Sequence, residues 1–368
     1  MVTNKPLITK GDQPTVLMAR VRQFKPSITK AFQPIAKAIS MLLIVTDSKD
    51  GLSNELALLL GEQVFFRFNV DFWFEYEFEI NNDYWIIKDP IGREISSKQD
   101  RKVLVRKPFQ NFFNEAALPN HITESERLWT LNQVQQFVNE LCLIEKYNSN
   151  IKLIDFHQPS YLSKSVQMIV ANKHFSVPNW KMFWSNSSHK TKEDCCVKSA
   201  KASTFLNGSF LFTKSIEEGS NLEKQYPWFI QNTIKAEYDL TILFISGECF
   251  AFTLHRNQIN GLDWRNEIFS KDLKWEFKNI SNELIASVKK YMADLNLNFG
   301  RLDFLIDHNN QYWFLEVNDN GEWGWLDEFY EFGVYEKFLS EFGINKINSF
   351  IRQRVSKLTN ADNSKIVQ

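Results

Sequence analysis

Asp303, Glu316 and Asn318 are the side chains on which this chain could build chemistry. Two apolar runs, Arg301–Ile306 and Tyr312–Val317, flank His308-Asn309-Asn310, a polar tip suited to a tight turn, and together they predict a β-hairpin. Strand alternation puts Glu316 and Asn318 on one side, and closure on that tip brings Asp303 alongside them. Three oxygen donors with no Cys or His suit a hard cation such as Mg²⁺, whose remaining positions phosphate oxygens can fill. The bland alternative is a surface hairpin with solvated acids. Carboxylates inside runs this aromatic need a partner, and a metal–phosphate site supplies one.

Other elements must hold this hairpin in place. MLLIVTD from Met41 predicts a first buried strand, followed by a helix over Leu52–Leu60. Strands are expected at Phe65–Phe68, Phe72–Ile80, Tyr84–Lys88 and Lys102–Arg106, the second from its alternation of aromatic and acid. Thr123–Tyr147 predicts a long helix opened by a Thr123/Glu126 capping box. His157–Asn186 predicts a helix, a turn and an extended segment after Pro178, and Cys195–Phe205 a strand carrying Lys198. Ser246-Gly247-Glu248 marks a second hairpin, and Asn279–Leu295 an amphipathic helix. Helical segments around Glu328–Phe342 and Ile347–Leu358 close the chain, and the aromatic stripe Phe329, Phe332, Tyr335, Phe338 suits core or a homodimer face.

A chain of 368 residues implies two or three lobes. A net charge of −1 offers no basic field for nucleic acid, and no apolar run approaches a membrane span. Residues 1–40 carry seven Lys/Arg against the single acid Asp12, an irregular basic arm that reads as a flexible extension, a targeting presequence or a fused leader-like peptide. Cys142, Cys195, Cys196 and Cys249 lack metal spacing and suit reduced thiols of a cytoplasmic protein.

The Asp…Glu-x-Asn arrangement resembles the closing motif of the ATP-grasp ligases, and NDNGEWGWLD (318–327) is similar to the NxNGQWGW signature of the graspetide, or microviridin-type, synthetases. The likeness continues in VLVRKPF (103–109), in Lys164 and Gln167, in the strand lysine Lys198, in Phe229-Ile230-Gln231-Asn232, in Asp239 and in Leu262-Asp263-Trp264-Arg265. It implies an α/β (α+β) chain with a three-lobed ATP-grasp fold: the arm at 1–40, a pre-ATP-grasp domain at 41–150, a central subdomain at 151–228, a C-terminal subdomain with the metal site at 229–358, and a polar tail at 359–368. The same resemblance implies ATP and Mg²⁺ as cofactors. Asp303, Glu316 and Asn318 would hold metal, Lys164 and Lys198 would reach phosphate, and Ile230, Gln231, Asn232 and Asp239 would surround the nucleotide. Lys198 and Arg265 would balance charge on the transferring phosphoryl group, a task for which the guanidinium fork is suited. The small residues Ser199–Ser203 would form a phosphate loop. Three positions depart from the pattern: Asn232 replaces a Glu, Thr241 an Arg, and Arg301 a small residue. Arg106 and Lys107 fit either phosphate binding or a solvated pair of bases.

The implied activity is ATP-dependent activation of Asp or Glu side chains of a precursor peptide with a leader segment, giving macrocyclic esters or amides. Two alternatives stand beside it: a ligase adding amino acids to a peptide tail, and a catalytically silent nucleotide- or peptide-binding module.

Overall fold

The computed structural model describes residues 40–109, 112–116, 118–154, 163–184, 189–191, 194–198, 213–222, 224, 227–266, 273–328 and 330–345. The basic arm up to 39, the Ser199–Ser203 loop, the helix expected at Ile347–Leu358 and the polar tail lie outside these residues.

Aliphatic residues on both sides of β1 (Met41–Thr46) mark it as a strand covered on two faces. The helix α1 (Gly51–Leu60) begins one residue before its expected start, because the Asp50 side chain accepts from the Ser53 backbone N–H at 2.9 Å. β2 (Phe65–Asn69) then pairs with β1 in parallel. The strand expected at Phe72–Ile80 forms only in its second half: residues 70–75 are a 3-10 helix, and β3 is Glu77–Ile80. The cause is local. The Asp71 carboxylate accepts from the Ser48 backbone N–H at 2.8 Å and its hydroxyl at 2.5 Å, while Phe72, Trp73 and Phe74 pack their rings on one another rather than alternating.

A meander of β3, β4 (Trp85–Lys88) and β5 (Glu94–Ser96) leads to β6 (Arg101–Arg106), which returns beside β1 in parallel. After the short α2 (Phe112–Glu115), α3 (Glu124–Tyr147) starts as predicted, with the Glu126 carboxylate reaching back to the Thr123 backbone N–H at 3.0 Å. It lays Leu131, Val138, Leu141 and Cys142 against Leu43, Val45, Val103 and Val105. Its one buried acid, Glu145, accepts from Trp85 Nε1 at 2.7 Å and Arg101 Nε at 2.9 Å.

The central lobe begins with α4 (Lys164–Ala171) and holds β7 (Trp180–Phe183), β8 (His189–Lys190), β9 (Cys195–Lys198), β10 (Lys214–Ile216), β11 (Asn221–Leu222) and β12 (Trp228–Asn232). Its main sheet runs β10-β9-β12-β7, antiparallel throughout, while β8 and β11 pair separately.

The last sheet runs β15-β14-β13-β16-β17, from β13 (Ala236–Ile245), β14 (Glu248–His255), β15 (Glu276–Phe277), β16 (Phe299–Asp307) and β17 (Tyr312–Asn318). Both expected hairpins are present, turning at Ser246-Gly247 and after Asp307. The amphipathic helix α5 (Asn282–Asp294) is shorter than its apolar pattern, because the Ser281 side chain caps it by accepting from Leu284 N. Among the described residues of 328–342 only α6 (Val334–Ser340) is α-helical, preceded by a 3-10 turn at 324–327.

One face of this sheet, with Leu240, Ile242, Phe244, Leu302, Phe304 and Ile306, packs on α5. On the opposite face Leu243, Ile245 and Phe299 join Leu42, Ile44 and α1 in a second core, shared with Trp323 and α6. The first and last lobes are therefore fused by common apolar burial.

Candidate functional site

The hairpin predicted to carry the acids contains a bulge at the acids themselves. Asp303 pairs directly with Glu316, but the next residue, Phe304, pairs with Phe314, so Leu315 is extra. Strict alternation would send Phe314 and Glu316 to the same face. With the bulge, Phe314 enters the core beside Phe304, while Glu316 turns to the other face beside Asp303. Asn318 follows two residues on, opposite Arg301, and its Oδ1 accepts from Asn320 N at 3.3 Å.

The acids lie in a cleft of about 790 Å³ between the last sheet and β12 of the central lobe, lined by Lys198, Gln231, Asp239, Arg265, Asp303 and Glu316 among others. Lys164, at the first turn of α4, donates to Glu316 Oε2 at 2.6 Å, and Gln167 one turn on accepts from Val317 N at 2.9 Å. Arg265 approaches the other oxygen of Glu316 at 4.0 Å, with its Nε and Nη2 held by Asp263 at 2.7 Å each. The salt bridge to Asp263 thus coexists with a place at the acids. Burial would raise the Glu316 pKa, but Lys164, Lys198 and Arg265 hold it well below the usual carboxylate range. Lys198 is shifted downward by burial, opposed by the charge of Glu316.

Asp303 is equally engaged. Thr241 donates to its Oδ1 at 2.5 Å, and Arg301 Nη2 to its Oδ2 at 3.1 Å. The Thr that departs from the resembled pattern therefore still meets the acid, and a guanidinium is delivered to the same carboxylate from the next strand. Arg301 is buried, and its Nε has no hydrogen-bond partner among the described residues.

The residues expected to surround a nucleotide fall less neatly. Ile230 and Gln231 pair with both β7 and β9, so their main chain is committed to the sheet. Ile230 does not line the cleft, whereas Gln231, Asn232, Thr233 and Ile234 do. Asp239 also lines it, bonded to Arg256 Nη1 at 2.7 Å. Burial pushes its carboxyl up to about 7 despite Arg256, with Asp303 adding to the rise.

Arg256 was not singled out from sequence, yet its Nη2 also donates to Gly261 O and Leu262 O, pinning the loop that presents Arg265. Trp264 and Trp325 lie in the motifs quoted from sequence but carried no assigned role there, and Trp275 was not singled out. Trp264, Trp275 and Trp325 meet with ring centroids 5.2–5.4 Å apart, and the first two line the cleft. The alternation in Glu322-Trp323-Gly324-Trp325 was the available signal: Trp323 is fully buried and Trp325 is not.

Two carboxylates plus an amide are a sparse donor set, and among the described residues no group of three or more His, Cys, Asp or Glu converges. That sparseness fits Mg²⁺, which keeps waters and takes phosphate oxygens in its other positions. Charge balance points the same way. Among the described residues the lining has four bases, Lys198, Arg256, Arg265 and Arg301, against four acids, Asp239, Asp263, Asp303 and Glu316, so a polyphosphate entering beside them calls for added cations.

The architecture is that of the ATP-grasp ligases. The macrocyclase MdnC of Microcystis aeruginosa MRC, solved with the precursor peptide MdnA, superposes with a TM-score of 0.61 at 19% identity, over 82% of this chain and 98% of that one. A ribosomal-peptide-associated ATP-grasp ligase of Chryseobacterium gregarium, solved with ADP, a leader and a core peptide, gives 0.64 at 20% identity over 82% and 94%. The ATP-grasp ligase PsnB, solved with a minimal precursor, Mg and ADP, gives 0.56 at 13% over 78% and 91%. No family model and no curated protein matches the chain.

Proposed function

We propose that the chain is an ATP-dependent carboxylate ligase that activates Asp or Glu side chains of a precursor peptide and closes them onto hydroxyl or amine groups as macrocyclic esters or amides. The observation that carries this reading is the directly paired Asp303 and Glu316, set by a bulge into a cleft with Lys164, Lys198 and Arg265 around them. A carboxylate is a poor electrophile in water, and transfer of a phosphoryl group to it creates a leaving group. Such transfer depends on positioning and charge rather than on a strong base, and this cleft offers that combination.

Asp303, Glu316 and Asn318 would hold Mg²⁺, which supplies charge neutralisation and orientation to the phosphates when bound. Lys164 and Lys198 would meet phosphate oxygens. The fork of Arg265, oriented by Asp263, would face the transferring group. The tryptophan wall would shield that group from water. The peptide and nucleotide bound to the Chryseobacterium enzyme support the choice of substrates.

The test is incubation with ATP, Mg²⁺ and acidic peptides that contain Thr, Ser or Lys, followed by mass measurement. Loss of one water per link is expected. Gain of an amino-acid residue mass would reassign the chain to tail ligation, and binding without ATP consumption would make it a silent module.

A further inference from the structure

Arg106 ends β6 in the first lobe, yet most of its hydrogen bonds reach the loop that follows β17. It is fully buried. Inside its own lobe Nη2 donates to Asp50 Oδ1 at 2.9 Å. Across the lobe boundary Nη1 donates to Asn320 Oδ1 and Gly321 O, both at 3.0 Å, and Nη2 to Glu322 Oε1 at 2.7 Å. Asn320 answers by donating Nδ2 to Val105 O at 3.4 Å. The neighbouring Lys107 adopts a left-handed backbone, φ 46°, and its Nζ reaches the same Glu322 oxygen at 2.7 Å. A non-glycine residue is held there only when its surroundings impose it.

The loop so gripped touches the acidic cradle at two points. The Asn318 carboxamide lies on Gly321, where a Cβ would come within 2.9 Å of its Cγ. From the other side Arg301 donates Nη1 to Glu322 O at 2.7 Å and Nη2 to Asp303. Arg106 and Arg301 therefore clamp the segment Asn320–Glu322 between them, one from each lobe.

We infer that Arg106 is a positioning residue: through Asn320, Gly321 and Glu322 the first lobe sets Asn318 and Arg301, and so sets the affinity of the cradle for its divalent cation. This rests on the metal reading proposed above. A guanidinium suits the task because its fork can bond two backbone-bearing partners and two carboxylates at once, which an ammonium cannot. Outer partners of this kind typically alter metal affinity by about tenfold to a hundredfold.

The test uses the full chain with ADP and Mn²⁺ as a paramagnetic probe, reading the Mn²⁺ dissociation constant by electron paramagnetic resonance alongside the melting temperature. Asn320→Ala, which removes the loop's side-chain bond to Arg106 and its bond to Val105 O, should weaken Mn²⁺ by about tenfold. Asn320→Asp, which keeps an acceptor for Arg106, should recover most of that loss. Arg106→Lys should weaken Mn²⁺ as Asn320→Ala does. Ser53→Ala, which strips a hydrogen bond from Asp50 within the first lobe, should lower the melting temperature and leave Mn²⁺ affinity intact. Parental Mn²⁺ affinity in Asn320→Ala, or equal weakening in Ser53→Ala, overturns the positioning role alone. Absence of Mn²⁺ binding by the parent chain overturns the metal reading and this inference with it.

Discussion

One face of the last sheet changes character along its length. At one end β13 and β16 present Asp239, Arg301 and Asp303 to the cleft, with Thr241 bonded to Asp303; a few residues further the same strands present Leu243, Ile245 and Phe299 to the core shared with the first lobe. The β13–β16 pairing keeps one register from Tyr238–Ile306 through to Ile245–Phe299. Only what covers the face differs. Where α1, Trp323 and α6 lie on it, burial of apolar area stabilises the fold. Where β12 stands off from it, the face is free to hold charge, and each acid there is matched by a base. The lesson is that the site draws its rigidity from the apolar half while its chemistry stays in the polar half.

The sharpest way to break the contrast is to move a charge across it. Leu243→Asp places an unpaired carboxylate in the shared core and should cost roughly 4 kcal/mol or more, seen as loss of the folded state in circular dichroism. Converting the polar half should do the reverse. Glu316→Gln or Asp303→Asn should cut ATP consumption to below about one-hundredth of the parent while the thermal transition persists. Arg265→Lys keeps the charge but loses the fork to Asp263. It should lower kcat by about tenfold to a hundredfold, the worth of about 1.5–3 kcal/mol of charged hydrogen bonding, with the melting temperature little changed.

The smallest expected effect concerns the boundary between the halves. Burial would raise the Asp50 carboxyl, but Arg106 and Ser53 hold it down to about 2. A group depressed in the folded state contributes stability above its unfolded pKa of about 4, and that contribution is lost as pH falls through the folded value. Denaturant midpoints should therefore decline from about pH 4 toward pH 2. Asp50→Asn should flatten part of that decline, and an unchanged slope would contradict the assignment.

Much of this was legible because it depends on local order. Both hairpins follow from apolar runs around polar tips, and closing one of them on its turn brings Asp303 near Glu316, although their direct pairing needs the bulge at Leu315. The α3 capping box was readable for the same reason. Phe72–Ile80 misled because alternation of aromatic and acid is a strand signal only if nothing nearby captures an acid, and Ser48 captures Asp71. Arg256 carried no local mark; its meaning lies in Asp239 and the carbonyls of Gly261 and Leu262, which the fold gathers. Ile230 and Gln231 pair on both sides, which commits their backbone to the sheet, and no single strand announces how many neighbours it will have.

By itself the sequence determined which residue types could bind metal and phosphate, and which strands carry them, since periodicity and turn chemistry act over a few residues. Tertiary structure alone decided that Leu315 bulges so that Phe314 and Glu316 part company, and that Arg106 reaches more than two hundred positions along the chain to Asn320. Both depend on competition for burial between distant segments: a phenyl ring must find the core and a guanidinium must find acceptors, and where these lie is settled only when the lobes close on one another.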